Sequence, residues 1–435
     1  MALAPLSFST KSNRTPESPI SYYMEQAIEN PTLISLAAGL VDTASLPVDP
    51  VARAVESVLA DPRTAKAALQ YGTTQGYLPL REKVLAHVCA LDGTKPERIQ
   101  VTPGEVAITT GSQQLLYLLT EILLDPGDIV ITEAPSYFVY HSVLLGNGVR
   151  VCKVPMDDEG MRTDELARLL ERLDRAGELN RVKLIYTVDY FQNPTGLTLS
   201  PPRRRALMDI VRGYQQRQRI LVLEDAAYRE LRFEGENYPS LKSLDTHNQF
   251  VIYAGTFSKP CAPGLKTGYA LMPAELIEPL TRLKGNHDFG SNNFSQYLLN
   301  ALMENGEYHT HARQLQQVYR KKRDAMLEAL QSEFADLPGA RWTHPRGGMF
   351  VWLTLPSDVN TGPGGRLIQA AIDAGVLYIP GEFGHVGENG PTLTHEIRLS
   401  YGDATLEQIE EGVRRLRTAV AEVRQPRFAA EPVSV

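Results

Sequence analysis

Short runs of β-branched and apolar residues alternate with longer amphipathic stretches across the middle of the chain. "VAIT" at 106–109 precedes helical spacing from Gln113 to Leu124, and "IVITE" at 129–133 precedes Tyr137 to Leu145. "RVKLIYTV" at 181–188 leads to Arg203 to Gln216, and then "ILVLED" at 220–225. Strands that recur after helical crossovers predict a mostly parallel sheet covered by helices. "DPGD" at 125–128 supplies the Pro and Gly that stop one helix before the next strand. "VIYAGTF" at 251–257 and "GYALM" at 268–272 read as two further buried strands.

Beyond Phe289 the rhythm changes. A long helical stretch, Asn293 to Ser332, is followed by "GGMFVWLTL", a helix near Gly365 to Ala374, "GVLYIPG" and "HEIRLSYG". This is an α+β pattern. It predicts a large domain over residues 66–290, an interdomain helix and small C-terminal domain over 291–435, and a segment 1–65 that joins the small domain. The first 20 residues and the last ten read as mobile ends.

Composition narrows the partners. The chain of 435 residues exceeds what one core usually carries, and 43% hydrophobic with 22% charged residues is globular. A net charge of -7 opposes the attraction that nucleic acids and anionic membranes depend on, so neither is expected and small molecules are. Cys89, Cys152 and Cys261 are an odd set with no zinc-like spacing, which favours a reducing compartment. No signal peptide or bilayer-length apolar run is read, so the expected setting is cytoplasmic and no metal is expected.

In open α/β sheets ligands bind beyond the C-terminal ends of the strands, and polar residues stand at four of those ends. "GSQQ" opens a helix at Gly111, where free amides and the Ser112 hydroxyl make either a phosphate seat or an ordinary cap. "QNPTG" at 192–196 turns the chain at Asn193, as structural Asn-Pro turns also do. "DAAYRE" sets Asp225 three residues from Tyr228, a cap and a packed ring on the plainer reading. "SKPCAPGLK" places Lys259 where a partly desolvated amine becomes nucleophilic, against the alternative of a surface lysine. A phosphate seat, an amide, a carboxylate and an amine at successive strand ends match the needs of one cofactor.

The blocks "YGTTQGYLPLRE", "TGSQQ", "EAPSY", "QNPTG", "EDAAY", "TFSK" and "IRLSY", in that order, resemble the fold-type I aminotransferases of class I/II. "ISLAAGL" and "PRGGMFVWLTLP" are similar to the branch with 2-aminoadipate and kynurenine aminotransferases. The resemblance implies a seven-stranded, mostly parallel sheet covered by helices, a smaller α+β domain, and pyridoxal 5′-phosphate as cofactor. It makes Lys259 the Schiff-base lysine and proton carrier, Asp225 the partner of the pyridine nitrogen, and Asn193 and Tyr228 donors to the ring oxygen. Tyr137 would stack on the ring, and Ser112, Gln113, Ser258 and Lys266 would hold the phosphate. Arg398 would clamp the substrate carboxylate, with Gly39 allowing close backbone approach and Asn193 alongside. Tyr71 resembles the tyrosine that reaches the neighbouring subunit's phosphate, which implies a homodimer with shared active sites.

The implied activity is a ping-pong transamination between an L-α-amino acid and a 2-oxo acid. A lyase or decarboxylase using the same cofactor is the alternative. A regulator with an added DNA-binding domain is disfavoured because only about 35 residues precede "LISLAAGL". Four departures stand out: Lys266 where arginine is usual, Pro260 after the lysine, which predicts an extended backbone at Lys259, "LAAGL" in place of a double glycine, and Ser21 after Ile20 where the family often has an arginine. Tyr22, Tyr23, Phe289 and Phe383 are candidate walls for a side-chain pocket.

Overall fold

The computed structural model describes residue 3, residues 6–17, 26, 29–30, 32–388, 390 and 392–425. Ile20, Ser21, the candidate aromatics Tyr22 and Tyr23 and the C-terminal ten residues lie outside the described residues. Residues 6–17 depart from the expected mobile end. Thr10–Arg14 is a helical turn capped by Ser9, and Lys11 Nζ donates to Tyr117 Oη at 2.8 Å.

Seven strands form the expected sheet in the order Val106–Thr109, Gly268–Leu271, Val251–Thr256, Leu221–Asp225, Val182–Thr187, Ile129–Ala134 and Arg150–Asp157. An eighth, the two-residue strand Gly160–Met161, turns back against the last of these. Gly268–Leu271 runs antiparallel to both of its neighbours, and the other six long strands share one direction. Their C-terminal ends therefore meet along one edge, at Thr109, Ala134, Asp157, Thr187, Asp225 and Thr256. The strands are buried on both faces, as a sheet between helical layers requires.

Two smaller sheets complete the scaffold. Arg341–Trp342, Phe350–Thr354, Glu396–Ser400 and Ile379–Pro380 form an antiparallel sheet of four strands, and Ile34–Ser35 pairs in parallel with Val376–Leu377. The helical stretch read as one from Asn293 is two helices, Asn293–Glu304 and Glu307–Phe334. Gly306 breaks it at φ +78°, a backbone conformation that glycine adopts without penalty. The second, of 28 residues, runs from the Lys259 turn, where His311 lies against the Cys261 carbonyl, to the C-terminal helix Leu406–Arg424.

Candidate active site

A cavity of about 260 Å³ opens at the shared C-terminal edge of the large sheet. The helix Gly111–Leu123 begins at its rim, directly after the Val106–Thr109 strand. The first N–H groups of a helix have no partner within it, so Gly111, Ser112 and Gln113 present amides to an anion. Close packing fixes this seat: a Cβ on Gly268 would lie 2.5 Å from both Gly111 C and Ser112 N. Ser258 and the exposed Lys266 line the same end. Lys266 caps a 3-10 turn at φ +49°, which aims its backbone back towards the sheet.

Asp225 ends the Leu221–Asp225 strand and is 4% exposed. Burial pushes its carboxyl up to about 6, against the opposing donation of Tyr186 Oη at 2.9 Å and Ala227 N–H at 3.3 Å. Tyr186 was not singled out from the sequence. Strand periodicity carries the signal: Tyr186 stands opposite Leu223, so its side chain shares a face with Asp225 two residues on.

Lys259 sits in the turn at 258–261, where Cys261 and Ala262 N–H both donate to the Phe257 carbonyl at 3.0 and 3.1 Å. Those bonds close a turn around Pro260. Its Nζ donates to the Gly39 carbonyl at 2.8 Å. Desolvation, then the like charges of Arg398 and Lys266, lower the amine to about 8.

Asn193 and Tyr228 meet across the cavity, with Asn193 Nδ2 donating to Tyr228 Oη at 3.5 Å. Tyr137 forms another wall and donates to Gln113 Oε1 at 3.4 Å. Arg398 arrives from the four-stranded sheet, 2% exposed between the rings of Phe350 and Phe138, whose centroids lie 4.4 and 5.3 Å from its guanidinium carbon. It donates to Asn193 Oδ1 at 2.9 Å and to the Ala37 carbonyl at 2.6 Å, while its buried Nε has no partner.

The structure does not bring Tyr71 into this cavity. It is 81% exposed on a separate surface with Phe289, their rings edge to face at 5.6 Å. Phe289 is therefore no wall of the cavity, whereas Phe383 packs against Phe138 beside Arg398.

The donor set fits pyridoxal phosphate. A buried carboxylate without a cation, an amine near neutrality, a cluster of free helix amides and an orphaned guanidinium Nε are each costly in an isolated protein. Together they complement a pyridinium nitrogen, an aldehyde, a phosphate and a substrate carboxylate.

Comparison with known proteins agrees. Residues 31–416 match the family model for "Aminotransferase class I and II". The aromatic-amino-acid aminotransferase 1 of Thermococcus litoralis is 36% identical over 91% of this chain and 89% of its own. The 2-aminoadipate transaminase of Thermus thermophilus is 36% identical over 90% of this chain and 91% of its own. The Pyrococcus horikoshii kynurenine aminotransferase, solved in complex with PMP, superposes with a TM-score of 0.87 at 33% identity, over 96% of this chain and 98% of that one.

Proposed function

Because the chain belongs to the class I and II aminotransferases and is a pyridoxal-phosphate-dependent transaminase, we propose that the cavity at Lys259 is its active site. In this reading it moves an amino group between an L-α-amino acid and a 2-oxo acid in two half-reactions. The observation that carries it is the convergence of Lys259, Asp225 and the Gly111 helix terminus on one cavity, with Arg398 hydrogen-bonded to the cavity residue Asn193.

Pyridoxal phosphate, when bound, supplies an aldehyde that takes up the amino group and a ring that accepts electrons from the substrate Cα. Lys259 would hold it covalently at the aldehyde carbon, and Ser112, Gln113, Ser258 and Lys266 would hold it at the phosphate. Asp225 would pair with the ring nitrogen, Asn193 and Tyr228 with the ring oxygen, and Tyr137 would cover one face.

Tyr186 and Ala227 donate to Asp225 and favour its carboxylate form, the form that would pair with that nitrogen. Lys259, lowered to about 8 and so a free amine in roughly a tenth of molecules at pH 7, is suited to take a proton from Cα and return it at the cofactor's aldehyde carbon. Arg398 orients the substrate by its carboxylate, with Asn193 bonded to the guanidinium and Gly39, bonded to Lys259, completing that end.

The reading includes a homodimer, supported by an exposed apolar cluster of Leu69, Tyr71 and Phe289, 70%, 81% and 66% accessible. Tyr71 would then complete the partner's phosphate site. An odd set of three buried cysteines supports a reducing, cytoplasmic setting. The division into a large domain over 66–290 and a small one over 291–435 with 1–65 belongs to the same reading. Aromatic amino acids and 2-aminoadipate, named for the relatives, are the first donors to try, with 2-oxoglutarate as acceptor.

Absorption spectra test it, with single amino acids added to the loaded enzyme and no oxo acid present. Conversion of the cofactor band to that of pyridoxamine phosphate in wild type, and not in Lys259→Ala, is expected. Release of carbon dioxide or ammonia without that conversion would favour a lyase instead.

A further inference from the structure

One buried carboxylate at the same sheet edge has no role in this scheme. Glu133, next to last in Ile129–Ala134, is 1% exposed, and all of its hydrogen-bond donors are neutral. Thr187 Oγ1 donates to Oε1 at 2.6 Å, while Val188 N–H and Gln192 Nε2 donate to Oε2 at 3.1 and 2.7 Å. All three donors lie on the segment that leads from the Val182–Thr187 strand to Asn193.

The rest of the Gln192 amide serves the same junction and, through a contact of Nε2 with Met156 Sδ at 3.1 Å, the neighbouring strand Arg150–Asp157. Its Nε2 also donates to the Pro135 carbonyl at 3.1 Å, and its Oε1 accepts from Thr195 Oγ1 at 2.6 Å. Pro135 stands two residues before Tyr137 and Gln192 one before Asn193. A single side chain thus ties together the two loops that face each other across the cavity.

We propose that Glu133 is the positioning residue that fixes the spacing of Tyr137 and Asn193, and with it the slot for the flat cofactor ring and the alignment of Asn193 with Arg398. The proposal rests on the assignment of Tyr137 and Asn193 as cofactor contacts. Three converging donors need two acceptor oxygens, which a carboxylate alone among side chains offers without a donor of its own. Retaining it is costly: desolvation pushes the carboxyl up to about 7 against the pull of its donors, and the charge of Asp189 adds to the rise. An apolar residue would fill the space at lower cost but would leave Gln192 and Val188 without their acceptor.

The test compares Glu133→Ala and Glu133→Gln in the full chain. Its readouts are pyridoxal phosphate affinity of the apoprotein, circular dichroism of the bound cofactor band, and steady-state kinetics. Glu133→Ala is expected to weaken cofactor affinity at least tenfold, to change the dichroic band, and to lower kcat more than it alters KM. Glu133→Gln should recover most of both signals, because its oxygen can serve Val188 and Gln192 while its NH2 faces a Thr187 hydroxyl free to turn. A wild-type dichroic band and affinity in Glu133→Ala would overturn the proposal. So would equal thermal destabilisation of both variants with an unchanged band, which marks a purely structural group. Asn193→Ala is the control: if it leaves the band unchanged, the site assignment itself fails, and the role of Glu133 falls with it.

Discussion

Arg398 Nη1 donates to Asn193 Oδ1 at 2.9 Å, so the guanidinium of the four-stranded sheet is fastened to the turn at the edge of the large one. Burial lowers Arg398 to about 10, which leaves it protonated at neutral pH. The positions of substrate clamp and cofactor contact are therefore not independent.

Arg398→Lys keeps the charge and loses the fork. KM for both the amino acid and the 2-oxo acid should rise together by about 100-fold, on the order of 2–3 kcal/mol, because both carboxylates use this guanidinium in turn. Steady-state kinetics with each substrate varied checks this. A rise for only one of them would place the second carboxylate elsewhere.

Lys259 in the apoprotein should react with a simple aldehyde, trapped by borohydride, at a rate that climbs with pH through an inflection near 8. The amine is lowered by desolvation first and by Arg398 and Lys266 next, so Lys266→Gln should move the inflection upward. The same variant should bind pyridoxal phosphate more weakly. Peptide mapping of the trapped adduct identifies the residue.

Asp225 carries a stability cost in the apoprotein. Its folded-state value, raised to about 6 from 3.8, makes it destabilising above pH 6, and the penalty fades as pH falls towards 4. Asp225→Asn should therefore stabilise the apoprotein at pH 8, by up to about 3 kcal/mol less the weakened Ala227 contact, and raise its thermal midpoint accordingly, a gain that should shrink towards pH 4. With pyridoxal phosphate added the order should reverse, since only the carboxylate can pair with a protonated ring nitrogen. Calorimetric scans with and without cofactor at the two pH values decide it.

Gly268→Ala places a methyl group against the backbone of Gly111 and Ser112, where nothing can swing aside. The phosphate seat must shift. We expect pyridoxal phosphate affinity to fall by at least tenfold, with destabilisation of about 1–3 kcal/mol. Titration of the apoprotein and denaturant melts measure the two effects separately.

The legible part of the site was the part written at strand ends. Apolar runs stopping at Gly111, Asn193, Asp225 and Ser258 marked one sheet edge, because parallel strands place their termini side by side. Contacts made by backbone or across long separations left less trace. The Ala37 and Gly39 carbonyls that accept from Arg398 and Lys259 have no side-chain signature, and Tyr186 lies inside an apolar run 39 residues before its partner Asp225. The helix break at Gly306 did carry a signal, the Asn305-Gly306 pair, which the long helical pattern on either side of it outweighed in the reading. Tyr71 reads as an active-site residue, yet in one chain it is an exposed ring.

The 28-residue helix Glu307–Phe334 is about 42 Å long at 1.5 Å per residue. Near its start His311 meets the Cys261 carbonyl beside Lys259, and further along Lys322 and Arg323 meet Asp42 and the Pro345 carbonyl. At its end the Glu333 carbonyl accepts from Arg417. A rod shared in this way denies either sheet a private melting transition. Heat should unfold the large and small layers cooperatively in a single calorimetric peak, despite their separate strands.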